Sequence, residues 1–161
     1  KKYMRICELL LNIKREFGIT EFIAGHYGGF DKLAARAVID AKKTHPEVTL
    51  TSLLPYLSVE RPMADPDGFD GTYYPPDMER VPRRMAIVRA NRYMIDHVDY
   101  LIAYALHPAS NARELVEYAH NKKVPTELIE NTASNQEYLM KTENVGLSNI
   151  LDSDLSGSHP A

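Results

Sequence analysis

The stretch 73-YYPPDMERVPRRMAIVRANRYMIDHVDYLIAYAL-106 decides how the rest of the chain is read. Its first part, residues 81–97, spaces apolar side chains as an amphipathic helix does, with Met85, Val88, Tyr93, Met94 and Ile95 on the apolar side. Its second part, residues 100–106, is an almost unbroken apolar run entered through Asp99. Such a run suits a strand buried on both faces. A helix feeding a doubly buried strand is the repeating unit of a parallel α/β sheet.

The same unit recurs on either side. Upstream, Ile6, Leu9, Leu10, Ile13 and Phe17 fall at steps of three and four, one stripe of a helix that stops at Gly18. A short strand, residues 21–24, runs into the glycine-rich turn 25-GHYGGFD-31, where Asp31 can cap a helix. Leu33, Ala34, Ala37, Val38 and Ala41 form the buried face of that helix, and Pro46 ends it near His45. Residues 48–57 form a second strand. Residues 58–77, rich in proline, glycine and aspartate and without a clean period, read as one long surface loop. Downstream, the turn 107-HPASNA-112 leads to a helix at residues 112–121, with Leu115, Val116 and Ala119 inward, and to a last strand at residues 124–129.

The predicted fold is therefore α/β, a three-layer Rossmann-like parallel sheet with right-handed crossovers. It occupies residues 1–132. Residues 133–161 form a polar tail, expected to be partly disordered apart from a short helix near residues 136–141. A doubly wound sheet opens on a strand, and this chain opens on a helix, so the first, central strand is expected just upstream of Lys1. Without it, the flanking strands close up or another chain fills the place, which would make a homo-oligomer.

Composition narrows the function. Of 161 residues, 44% are hydrophobic and 25% charged, and the net charge of −3 gives no basic field for nucleic acid. A single cysteine, Cys7, excludes an intrachain disulfide framework and a cysteine-rich zinc site. His26, His97 and His107 lack metal-ligand spacing, so no metal or cofactor is expected. No apolar run reaches the roughly 20 residues of a membrane span and no signal peptide opens the chain. The expectation is a cytoplasmic protein away from membranes.

In open α/β sheets, ligands bind beyond the carboxyl ends of the strands. Three segments meet that condition. Gly25, His26, Gly28, Gly29 and Asp31 form a turn whose backbone amides can approach a phosphate at a helix start. Asn91 lies between Arg89 and Arg92, three residues apart on one helix and suited to phosphate or carboxylate. Ser110 and Asn111 start the next helix. The glycine turn matches neither the dinucleotide fingerprint nor the phosphate loop, so its glycines fit a plain tight turn as well.

The segments FIAGHYGGFDKLA (22–34), the opening stretch (73–104) and ELVEYAHNKK (114–123) together resemble the SLOG superfamily. Its members are Rossmann-like proteins that include the DNA-processing protein Smf/DprA and the lysine-decarboxylase-like LOG enzymes. The likeness is strongest to a small bacterial branch of single-domain members. The resemblance implies binding of a nucleotide or nucleotide-derived phosphorylated ligand, as a sensor or regulator. On the LOG side it implies hydrolysis of the N-glycosidic bond of nucleoside 5′-monophosphates, with Glu117 as the counterpart of the final glutamate of the LOG pattern P-G-G-x-G-T-x-x-E. This sequence departs from the family in lacking its opening strand, with the Gly-His-Arg-like turn that follows it in many members, and at two further places. An arginine–asparagine pair appears as Ala90-Asn91, and a glycine pair at a helix start as Ser110-Asn111. Three functions follow: a nucleotide binder, a LOG-type glycosidase with Glu117 catalytic, or an interaction module that has kept the fold and lost the pocket.

Overall fold

The computed structural model describes residues 1–25, 28–57, 67–104 and 111–129, and of Asn111 the backbone alone. His26, Ser110 and the tail from residue 133 lie outside the described residues. The order is α1 (Lys2–Phe17), β1 (Glu21–Ala24), α2 (Gly29–Lys42), β2 (Thr49–Leu53), β3 (Gly71–Tyr73), α3 (Arg83–Ile95), β4 (Leu101–Tyr104), α4 (Asn111–Asn121) and β5 (Thr126–Ile129), with a 3-10 turn at Met78–Arg80 before α3. Among the described residues every strand pair is parallel, and the fold is α/β and Rossmann-like.

The helices cover opposite faces. The stripe Ile6, Leu9, Leu10 and Ile13 of α1 is buried, as its three-and-four spacing requires, and α1 ends at Gly18, φ 68°, whose N–H reaches the Lys14 carbonyl at 2.9 Å. Helices α1 and α2 share a core with Phe22 and Leu50. On the other face, Ala86 and Ala90 of α3 pack on Leu53 and Met78, and Leu115, Val116 and Ala119 of α4 pack on Leu101 and Ala103.

Four local expectations change. The N-cap of α2 is Gly28, in extended backbone at φ −123°, while Asp31 lies inside the first turn and is buried. Helix α3 starts at Arg83 and buries Ala86, Ala90, Asn91 and Ile95, whereas Met85 is 53% exposed. Ala86 and Ala90 pack with Leu53 and Met78, and Met85, outside that stripe, turns to solvent. Strand β2 is shorter than expected, at Thr49–Leu53. The stretch read as one long loop contains β3, an exposed edge strand with no hydrophobic alternation to announce it. Pairing with β2 makes it a strand. Asp70 anchors its start by accepting from the Leu50 N–H at 2.8 Å and holding the Lys42 ammonium at 2.8 Å.

The parallel strands form two sheets, in the orders β1-β2-β3 and β4-β5, and no strand pairing joins β1 to β4. Helix α1 spans the divide. Its apolar stripe shares one cluster with Phe22, Ala24 and Leu50 of the first sheet and with Ile102, Tyr104 and Ile129 of the second. The flanking strands have not closed on each other.

Candidate functional site

At the carboxyl ends of β1 and β4, side chains from three elements meet. Phe30, in the first turn of α2, stacks on Tyr104 at the end of β4, with ring centroids 5.3 Å apart and planes 16° from parallel. The Lys2 ammonium, at the start of α1, sits 3.7 Å from the centroid of the same Tyr104 ring. That distance is a cation–π contact. The amino ends of α1 and α2 and one cation are therefore gathered at one edge of the divide. Helix amino ends carry roughly half a positive charge, so this edge favours an anion.

The glycine turn supplies the approach. Gly25 follows β1 and is buried, Gly28 caps α2 and is buried, and Gly29, the first helical residue, is exposed. The Gly28 carbonyl accepts from the Lys32 N–H at 3.2 Å, which begins the helix. Asp31, 1% exposed, places a carboxyl beneath this turn.

A cavity of about 620 Å³ lies along the divide, from Thr20 and Asp99 before β1 and β4 to Gly25 and Ile102, and Lys2, Phe30 and Tyr104 are not in its wall. Gly25 and Ile23 of β1, Ile102 of β4, Asn91 of α3 and Leu115 of α4 are in its wall. Asn91 is 8% exposed, and its side-chain carbonyl oxygen has no hydrogen-bond partner among the described residues. A buried amide oxygen without a donor is uncommon and marks a place where a donor belongs.

The expected site residues thus fall in two groups. Gly25, Gly28, Gly29, Asp31 and Asn91 lie around the carboxyl end of β1 and the divide. Arg89 is exposed, and Arg92 extends to α4, with its guanidinium 5.5 Å from the Tyr118 ring centroid. The Tyr118 hydroxyl in turn donates to Asp96 at 2.8 Å, which raises the hydroxyl's pKa. Glu117 is on the solvent side of α4, where its carboxylate is 3.3 Å from Arg113. Asn111 opens α4. Among the described residues, no three His, Cys, Asp or Glu side chains group as a metal site requires, and no helix is long and apolar enough to cross a membrane.

Lys2, Phe30 and Tyr104 escaped the sequence reading. Tyr104 looked like one more residue of an apolar run, and Lys2 carries no pattern at all. The only available signal was Phe30, an aromatic directly after the glycine pair. Compared with models of known families and with curated proteins, the chain matches none.

Proposed function

We propose that the chain binds a nucleotide or nucleotide-derived phosphorylated ligand at the carboxyl edge between β1 and β4, as a sensor or regulator. One observation carries the reading: the glycine-flanked start of α2 and the Lys2 ammonium at the start of α1 meet around the Tyr104 ring. Glycines at 28 and 29 put no Cβ atoms in the way of a phosphate, and the lysine adds a full charge. Ligand sites of parallel α/β sheets lie at this edge. The SLOG resemblance of the glycine turn supports the same ligand class. Glu117, paired with Arg113 on the outer face of α4, has no role in this reading.

A thermal-shift series with AMP, ADP-ribose, NAD and inorganic pyrophosphate tests it. A ligand at a hundred times its Kd stabilises by about 2.7 kcal/mol. Lys2→Glu should weaken binding about fivefold or more, since it replaces an attraction by a repulsion. No shift with any of the four, or identical affinity in Lys2→Glu, overturns the proposal.

A further inference from the structure

We propose that the cavity along the divide binds an arylalkylamine, with its ring among the apolar walls and its ammonium at the amino ends of β1 and β4. Charge points to the cation. Glu21 opens β1 and Asp99 stands just before β4, both exposed and both in the cavity wall. Neither forms an ion pair among the described residues. No lysine or arginine among the described residues stands in that wall. The cations in the last turns of α1 and α3 are engaged elsewhere: Lys14 with Glu47 at 2.6 Å, Arg15 with Asn12 at 3.0 Å, and Arg92 beside the Tyr118 ring.

The helices add to this potential. Helix α1 ends at Phe17 and α3 at Ile95, both in the wall, and helix carboxyl ends carry roughly half a negative charge. Tyr100 lies in the same wall, and its hydroxyl pKa is raised, first by burial and then by the charges of Glu127 and Glu16. The amino end of the divide thus favours a cation, the reverse of its carboxyl edge. A nucleotide is the wrong guest for it, because phosphate would meet Glu21 and Asp99.

The walls select the rest of the ligand. At about 620 Å³ the cavity has the size of a small-molecule site, and Ile13, Ile23, Ile102 and Leu115 make much of it apolar. Two aromatic pairs line it near the charged end: Phe17 with Tyr100, centroids 5.6 Å apart, and Tyr93 with His97, 4.2 Å apart and 22° from parallel. Aromatic faces attract both a flat ring and an ammonium. Asn91, 8% exposed and in the same wall, has an amide oxygen without a donor among the described residues. A ring N–H supplies that donor.

The chain has no tryptophan, so indole fluorescence reports a bound probe directly. Tryptamine, tryptophol and indolepropionate share a ring and differ in the charge of the end group, and each is titrated into the full chain. Tryptamine should bind saturably with blue-shifted emission, about tenfold or more tighter than tryptophol, and indolepropionate should bind weakest. Glu21→Gln combined with Asp99→Asn, at two exposed positions, should leave tryptophol unchanged and bring tryptamine to within about twofold of it. Lys2→Glu should change none of the three. The proposal is overturned if tryptamine shows no saturable binding, if the three probes bind alike, or if their order survives in the double variant. Loss of tryptamine binding in Lys2→Glu also overturns it, because that puts the probe at the carboxyl edge. Lys2, Phe30 and Tyr104, which carry the nucleotide reading, are not in this wall, so either proposal can fail alone.

Discussion

Replacing Ile6 by alanine probes what holds the two sheets together. Ile6 is 1% exposed and sits in the α1 stripe that touches residues of both sheets. The substitution deletes three buried carbons, about 2.4 kcal/mol at roughly 0.8 kcal/mol each. The cavity left behind adds to that, since the surroundings relax only partly, and buried isoleucine-to-alanine changes cost about 2–5 kcal/mol. We expect about 3–4 kcal/mol by urea unfolding, and a fall in Tm of about 10 °C or more. Leu11, on the same helix but 44% exposed, is the control, and its alanine variant should stay within about 1 kcal/mol of the parent. Since no strand pairing links β1 to β4, loosening α1 should also broaden the transition and lower m, as the halves begin to unfold separately. A loss below about 1 kcal/mol for Ile6→Ala, or equal losses for the two variants, would refute the view that α1 ties the sheets.

Two further predictions concern single contacts. Gly68 has φ +88°, and a Cβ there would stand 2.6 Å from Cδ1 of Ile39, so Gly68→Ala should destabilise by about 1–2 kcal/mol in the same urea assay. The Asp40 carboxyl accepts the Tyr3 hydroxyl and lies 3.1 Å from the Lys43 ammonium, and these hold its pKa down from 3.8 to about 2. A carboxyl with a lowered folded pKa contributes stability above its unfolded pKa and loses it as pH falls through the folded one. Stability should thus decline between about pH 4 and about pH 2, and Asp40→Asn should flatten that limb in melts across the range. Tyr3 is the mirror case: its hydroxyl pKa is raised, chiefly by donating to Asp40, so its contribution holds below pH 10.0 and fades above it.

Local patterns carried much of this protein. The stripe of α1 and the inward face of α4 are repeats of three and four residues, the stop at Gly18 is a glycine cap and β4 is an unbroken apolar run, all readable without a fold. Strand β3 left no such trace, because an exposed edge strand is made by its neighbour's hydrogen bonds and not by its own side chains. The facing of α3 was likewise hidden: Met85 has the larger apolar surface, but Ala86 and Ala90 are the residues that meet Leu53 and Met78, and Met85 is exposed.

The candidate site divides in the same way. Glycines after a strand and before a helix are visible in the sequence as a turn without Cβ atoms. That Lys2 and Tyr104, about a hundred residues apart, share one contact beside that turn is a matter of how α1 crosses the divide. The separation of Arg92 and Glu117 from the glycine turn has the same origin. Residue spacing tells which side chains share a helix face, and the packing of α3 and α4 against each other decides whether that face looks at a ligand or at a neighbour.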